Sequence, residues 1–230
     1  MRIIGVAGLA LLAACGQPSA QAPAAEVSAQ AKAAEPAAIA DAPPSPPSVV
    51  VTPEGQLPPA PEGGVTVGGW GAIRIGMTLE QLNAATSQTF DPSAEPDYED
   101  YQCALLDPDG APEGLSIMYV RGRVARIDVW KPGVATYGGL QVGDPATKAR
   151  AALGAALNAQ PHFYKGLPSE YLTVWTSGGP FISYTTTAPT DAELAEADPA
   201  RGVRFETDDA GNIEHFYAGD GAIELPEGCL

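Results

Sequence analysis

Histidine is the side chain that most often does acid–base chemistry near neutral pH, and this 230-residue chain has two, His162 and His215. His215 lies in a predicted strand, which favours a surface imidazole. His162 lies in the aromatic run Pro161–Tyr164, which favours a packed loop over a ligand site. The aspartate-rich stretches 107–110 and 208–211 lack the ligand spacing and closing glutamate of a calcium loop, so they predict turns. We therefore predict no metal site, no cofactor and no enzyme activity.

A cysteine with a different role ends the first apolar segment. Arg2 is followed by an apolar run to Leu12 and then by Ala13-Ala14-Cys15. A positive start, an apolar run of about ten residues and small residues before a cut site are typical of a secretory signal. The run is too short to span a bilayer, which needs about 20 apolar residues. The sequence therefore predicts a signal peptide over residues 1–14.

The stretch Leu12-Ala13-Ala14-Cys15 resembles the lipobox of bacterial lipoproteins. The resemblance implies that Cys15 becomes the mature N-terminus, with a diacylglyceryl thioether and an acyl chain such as palmitate on its amine. Two or three acyl chains hold a protein on a membrane essentially permanently. Gly16 stands where an Asp tends to retain such proteins in the inner membrane of enteric bacteria. We therefore expect a lipid anchor in the outer membrane, on its periplasmic side.

The two remaining cysteines, Cys103 and Cys229, lack the Cys-x-x-Cys spacing that would indicate redox exchange or zinc. Outside the cytoplasm such a pair is readily oxidised. We predict a structural disulfide that ties the penultimate residue to an early strand. Closing so long a loop stabilises the fold nominally by about 4 to 5 kcal/mol.

Charge and composition divide the chain into regions. A formal net charge of −16 argues against nucleic acid as a partner and against attraction to anionic lipid headgroups. Residues 15–66 are rich in Ala and Pro, and the first aromatic residue is Trp70. Such a segment cannot bury enough apolar surface to offset the entropy of ordering. We predict a disordered tether over 15–66 and a monomeric folded domain over 67–230.

Two similar segments within 67–230 predict a tandem repeat. Thr78-Leu79-Glu80-Gln81 matches a capping box and predicts a helix over about 79–86. Asp144 as N-cap and Pro145 at the first helical position predict a second helix, ending at about 153. Aligning Gly76 with Gly143 brings a short strand, a tight glycine and a helix into register. The predicted repeats span about 67–133 and 134–230.

Apolar segments after each helix, joined in pairs by turns that contain a glycine, predict antiparallel strands. They lie at about 101–106, 115–120 and 124–130 in the first repeat, and at about 171–175, 181–185, 203–207 and 213–217 in the second. A third short helix is predicted at about 191–197. The predicted fold class is therefore α+β, with two helix-plus-antiparallel-strand repeats that form a sheet covered by helices on one face.

The segment Gly71–Leu82, GAIRIGMTLEQL, resembles the start of the small outer-membrane lipoprotein of the barrel-assembly machinery, the SmpA/OmlA or BamE-like type. Two such units in tandem resemble the β-lactamase-inhibitor-protein fold. That resemblance implies a curved sheet with helices on one face and an open face that holds a partner. In the second copy Asp144-Pro145 replaces the Met-Thr pair. None of the family's partner-binding residues lies in the matched stretch, so none is transferred to this chain.

Three classes of function remain open. In the first, the domain holds an envelope protein through the open sheet face, with Trp130, Tyr164, Tyr171 and Trp175 as candidate partner contacts. Core packing is the alternative role for these aromatics. In the second, the domain inhibits a periplasmic enzyme such as a lysozyme or a β-lactamase, because an acidic surface suits a basic target. The third is an enzyme whose site the sequence does not show. We favour the first.

Overall fold

The computed structural model describes residues 50–95, 102–176, 181–182, 184, 190–194, 199–225 and 228–229. All of them belong to a compact unit that begins at Pro46. Cys15, the predicted signal peptide and the predicted tether up to residue 49 lie outside the described residues. Within the described part of the chain, none of the helices has the length and apolar character needed to cross a membrane.

A large antiparallel sheet organises the domain. Its strands are β3 (Cys103–Leu106), β4 (Leu115–Val120), β5 (Arg123–Val129), β8 (Asn158–Pro161), β9 (Glu170–Trp175), β10 (Gly202–Thr207) and β11 (Ile213–Gly219). They lie side by side in the order β3-β4-β5-β11-β10-β9-β8. Two short ladders accompany this sheet, β1 (Gly69–Trp70) with β2 (Ile73–Arg74) and β6 (Ala135–Thr136) with β7 (Leu140–Gln141). The helices are α1 (Leu79–Thr86), α2 (Ala146–Leu153) and α3 (Asp191–Leu194). The fold is mixed α/β, with a large antiparallel sheet and few helices.

One face of the main sheet carries the hydrophobic core. Successive strand residues point to opposite faces, and the core side includes Ile127, Phe205 and Phe216, each fully buried. Leu82 of α1 and Ala149 of α2 belong to the same buried cluster. The apolar surface removed from water in this cluster is the main source of stability.

Both predicted longer helices form, but only α1 is capped as predicted. Thr78 Oγ1 accepts a hydrogen bond from Gln81 N (3.4 Å), and Thr78 N donates to Gln81 Oε1 (2.9 Å), which completes the capping box. The second helix begins at Ala146, without a side-chain cap. The prediction that Asp144 caps it is wrong, because the Asp144 carboxylate pairs instead with Lys148 (2.7 Å).

The segments that precede α1 and α2 make corresponding contacts with the sheet. Each segment donates one backbone hydrogen bond to a residue near the start of a strand and accepts one from the same residue. That residue is Val124 in β5 for the first segment and Ile213 in β11 for the second. The four hydrogen bonds, of 2.7 to 2.9 Å, are Gly76 N to Val124 O, Val124 N to Met77 O, Gly143 N to Ile213 O and Ile213 N to Asp144 O. The two strands, β5 and β11, pair with each other in the middle of the sheet.

Part of the predicted tether belongs to the folded domain. Leu57 and Val65 are buried and join the core cluster. Thr52 N donates to Trp175 O (2.8 Å), and Val51 forms an isolated parallel bridge with Trp175. The predicted boundary at 66/67 is therefore wrong, because residues 50–66 belong to the folded domain and not to the tether. A proline-rich chain readily adopts extended conformations, and here that extended chain lies against the end of β9.

Three elements differ from the strand and helix predictions. The polar segment of β8 has little β propensity, and its sequence did not predict a strand. Phe181, Ile182 and Tyr184, in the predicted strand 181–185, are not in a strand. Phe181 packs on Trp175, with ring centroids 5.0 Å apart. Helix α3 corresponds to the first four residues of the predicted helix at 191–197, and the rest of that prediction lies outside the described residues.

The predicted disulfide is confirmed. Cys103 in β3 and Cys229 are joined, with Cα atoms 5.3 Å apart. Their separation of 126 residues means that the bridge holds the end of the chain on an edge strand of the sheet.

Candidate functional site

The face of the main sheet opposite the core is polar. The strand register places its side chains in rows that run across β5, β11, β10 and β9. We call the following residues the polar face: Arg126, Asp128, Tyr171, Thr173, Arg204, Glu206, His215 and Tyr217. All of them except His215 are buried. Directly opposite side chains lie about 5 Å apart, so these charges and rings interact with one another.

Glu206 lies on β10, directly opposite Tyr171 on β9 and His215 on β11. Its carboxylate is hydrogen-bonded to His162 Nε2 and accepts a hydrogen bond from Tyr217 OH (2.7 Å), while His215 Nδ1 lies 3.7 Å away. Burial alone would raise the pKa of Glu206, but the contacts with His215, Tyr217 and His162 lower it to about 2. Glu206 is therefore ionised at neutral pH. Its low pKa and occupied lone pairs make it a poor general base.

His162 is buried and held in one tautomer. Its Nδ1 accepts hydrogen bonds from the amides of Tyr164 and Lys165, both at 3.2 Å. Nδ1 therefore carries no proton, and Nε2 donates to Glu206. The imidazole also stacks on Tyr171, with ring centroids 4.6 Å apart. The sequence-based expectation of a packed loop at His162 is confirmed, but no pattern in the sequence indicated the contact with Glu206.

His162, Glu206 and Glu214 bring three candidate metal-ligand atoms within 4.8 Å of one another. A metal ion would require the lone pair of His162 Nε2, which would place the ring proton on Nδ1. That proton would then face two backbone N–H donors, whereas a metal-bound histidine normally has an acceptor at its second nitrogen. Lys165 Nζ also pairs with Glu214. The donor set of this cluster does not fit a metal ion.

Arg126 joins the polar face to the C-terminal part of the domain. Its guanidinium donates two hydrogen bonds to Asp128 (2.6 and 3.1 Å) and one each to Ala222 O (3.0 Å) and Leu225 O (2.9 Å). It also lies over the ring of Tyr217, 4.3 Å from the centroid. We call residues 220–225 the C-terminal strap. The strap covers the polar face at Arg126, so this half of the face is closed.

Asp220 fixes the start of the C-terminal strap. Its carboxylate accepts hydrogen bonds from Ala222 N (2.9 Å) and Tyr184 OH (3.1 Å). Burial raises the pKa of Asp220 to about 7. Further along the strap, Ile223 packs with Trp175 in a small buried cluster. The strap is thus held by hydrogen bonds and by apolar contacts.

Arg204 lies beside a pocket of about 460 Å³ at the β8 side of the polar face. Its guanidinium contacts Thr173 Oγ1 (3.0 Å) and Glu224 (3.1 Å) and lies over the ring of Tyr171 at 4.8 Å. Burial lowers the pKa of Arg204. Phe163 lines the same pocket and is 76% exposed.

The structure divides the four candidate partner contacts into two pairs. Trp130 and Tyr164 are 38% and 57% exposed. Tyr171 and Trp175 share one face of β9, as their spacing predicted, but they are only 5% and 4% exposed. The hypothesis that these two contact a partner is therefore wrong. Tyr171 is stacked between His162 and Arg204, and Trp175 packs under the C-terminal strap.

Trp130 and Tyr164 both lie at the same end of the sheet, and the loop that carries Tyr164 exposes two further apolar side chains, Phe163 and Leu167, that were not among the candidates. Strand β5 ends just before Trp130, and β8 ends just before the loop that carries Phe163 (76% exposed) and Leu167 (68% exposed). We call Trp130, Phe163, Tyr164, Leu167 and His215 the rim. His215 is half-exposed, as predicted, and lines a pocket of about 250 Å³ with Trp130. The aromatic run at 161–164 was the available signal in the sequence.

Comparisons of the chain with protein-family models, with curated proteins and with solved structures find no match. The chemical role of the site is therefore inferred from its geometry alone. The buried half of the polar face is a network of mutually paired groups, while the rim exposes aromatic and aliphatic surface.

Proposed function

We propose that this protein is a lipid-anchored, periplasm-facing lipoprotein of the outer membrane that binds an envelope protein through the rim. The observation that carries the proposal is the exposure of Trp130, Phe163 and Leu167 at one end of an otherwise covered sheet face. Exposed apolar patches mark interaction sites on soluble domains, and Phe163 and Tyr164 form such a patch by packing edge to face. Trp and Tyr are also the residues most often found at binding hot spots.

We further propose that the domain is a tandem of two helix-plus-strand repeats with helices on one face, of the BamE-like or β-lactamase-inhibitor-like type. Matched hydrogen bonds to Val124 and Ile213 support this interpretation. So do the register shifts that each hairpin carries at a corresponding point, at Met118/Tyr119 and at Glu206/Thr207. A fold does not determine a function by itself, and in this chain the C-terminal strap closes half of the face that the resemblance implied would be open.

A second candidate function is inhibition of a periplasmic enzyme. It is favoured by the loop at 163–167, which projects Phe163 and Leu167 at the edge of an acidic domain and has a form suited to filling an enzyme cleft. Adding the purified protein to lysozyme and β-lactamase assays tests this function. Stoichiometric inhibition that is lost in Phe163→Ser would favour it over envelope-protein binding.

The anchor is tested in cells with a palmitate analogue. The wild-type chain should be labelled, and Cys15→Ala should abolish the label. Density-gradient fractionation should place the labelled protein with outer-membrane markers. A label that survives Cys15→Ala would contradict the lipoprotein proposal, and co-migration with inner-membrane markers would contradict the proposed location.

Binding is tested by capture from crosslinked cells. The full-length protein should capture one abundant envelope protein, and Trp130→Ala should reduce that capture. Phe181→Ala is the matched control, because Phe181 is a similarly exposed aromatic outside the rim. Equal loss with both variants would show that the rim is not the binding surface.

A further inference from the structure

Exposed apolar surface is concentrated in one short loop of the domain. Phe163, Tyr164 and Leu167 are 76%, 57% and 68% exposed, and they fall within five consecutive residues. Phe163 and Tyr164 are packed edge to face, with ring centroids 4.8 Å apart. Isolated surface apolar residues are common, but a contiguous cluster indicates an interaction site.

The backbone of this loop is fixed from inside by the buried His162. The amides of Tyr164 and Lys165 donate to His162 Nδ1, and the amide of Gly166 donates to His162 O (2.8 Å). His162 N donates to Ser169 O (2.9 Å), which closes the base of the loop. Gly166 has φ of 66°, a left-handed conformation that glycine adopts without steric cost. The loop is therefore ordered before it meets a partner, which reduces the entropy lost on binding.

We propose that loop 163–167 is a preformed docking element that inserts Phe163 and Leu167 into an apolar pocket of a partner protein, with His162 as the residue that positions it. The inference rests on the proposed binding function and names the part of the rim that enters the partner.

The charges around the loop favour a protein with a basic pocket edge over a lipid surface. Lys165 is the cation of the loop, and it is paired with Glu214. Glu206 and Asp209 add negative charge close to Lys165. With a formal net charge of −16, the chain is repelled by anionic headgroups, whereas lysines or arginines around a partner pocket would complement it.

Photocrosslinking in cells tests the insertion directly. A benzophenone amino acid is placed at position 163 or 167 of the full-length protein, and at Phe181 as the control. We expect one protein adduct from positions 163 and 167, and its crosslinked peptide should map to an apolar pocket with Lys or Arg at the edge. Adducts to lipid alone, or equal adducts from position 181, would overturn the proposal.

Two further arms separate this inference from the binding function itself. A crosslinker at Trp130 that captures a partner, when positions 163 and 167 capture none, would refute the loop and leave the binding function standing. Capture from none of the three positions would contradict both. Flotation of the full-length Cys15→Ser protein with phosphatidylcholine vesicles, lost in Phe163→Ser, would show that the loop enters lipid and would overturn the proposal.

The positioning role of His162 has its own test. His162→Asn keeps an acceptor for the amides of Tyr164 and Lys165, whereas His162→Leu removes it. We expect the Leu variant to speed hydrogen exchange at these two amides and to lower the affinity for the crosslinked partner at least about tenfold, and the Asn variant to restore both. Equal exchange and equal affinity in the two variants would refute the role. If the Leu variant does not fold, the crosslinks from positions 163 and 167 still decide the proposal.

Discussion

Replacing Arg126 with methionine should lower the free energy of unfolding by about 3 to 5 kcal/mol. Arg126 is 2% exposed and Asp128 is 5% exposed, so the substitution leaves a buried carboxylate without its cation. The carbonyls of Ala222 and Leu225 lose a donor as well, and an unpaired buried acceptor costs about 1 kcal/mol or more. Because the whole domain is stabilised by only about 5 to 15 kcal/mol, the loss is large enough to measure accurately.

A double variant tests the cause of this loss. Arg126→Met/Asp128→Leu removes both charges, and it should recover at least about 2 kcal/mol relative to Arg126→Met, since an apolar pair leaves no unpaired carboxylate. The measurement is guanidinium unfolding, followed by tryptophan fluorescence with the disulfide intact. A loss of less than about 1 kcal/mol in Arg126→Met, or no recovery in the double variant, would refute a buried ion pair that holds the C-terminal strap.

Three further predictions concern the rest of the domain. Trp175→Ala should cost about 3 to 5 kcal/mol in thermal or chemical unfolding, because the ring is buried, and an unchanged melting temperature would show that it is exposed. Glu206 has a pKa of about 2 in the folded protein against a usual 4.5, so its ionisation stabilises the fold fully above pH 4.5. This contribution is about 2 kcal/mol after allowance for screening, and it is lost as the pH falls toward 2. Unfolding titrations from pH 6 to pH 2 should therefore show a steeper loss in wild type than in Glu206→Gln, and parallel curves would contradict this. A chain that begins at Gly64 should be less stable by about 2 kcal/mol than one that begins at Pro46, because it lacks the buried Leu57, and equal melting temperatures would restore the later domain boundary.

Elements with strong local signals were predictable from the sequence. The capping box at Thr78 and Gln81 predicted the start of α1, and apolar segments joined by glycine turns predicted β4, β5, β10 and β11 to within a few residues. The predicted cap at Asp144 was wrong because an aspartate before a helix can also form an ion pair, and here it pairs with Lys148. The composition of residues 50–66 resembles a tether, and only tertiary contacts, namely the bridge to β9 and the burial of Leu57 and Val65, show that this segment packs.

The candidate site was less predictable, because exposure depends on what covers a face. The spacing of Tyr171 and Trp175 correctly placed them on one side of a strand, but it contained no information about the C-terminal strap. The environment of His162 depends on Glu206, which lies 44 residues away in the sequence. The exposure of Phe163 and Leu167 depends on β8, a strand of low β propensity that ends just before their loop.

The central claim is that the rim, rather than the covered part of the sheet face, binds a partner protein. The most direct test is the affinity of the captured partner for the full-length protein in detergent, measured by calorimetry for wild type and for two double variants. Trp130→Ala/Phe163→Ser should weaken binding about 700-fold, since two hot-spot side chains at about 2 kcal/mol each are removed. The control Ala84→Ser/Phe181→Ala changes an exposed residue of α1 and an exposed aromatic outside the rim, and it should bind as wild type does. Undiminished binding by the rim variant, with its melting temperature unchanged, would contradict the account.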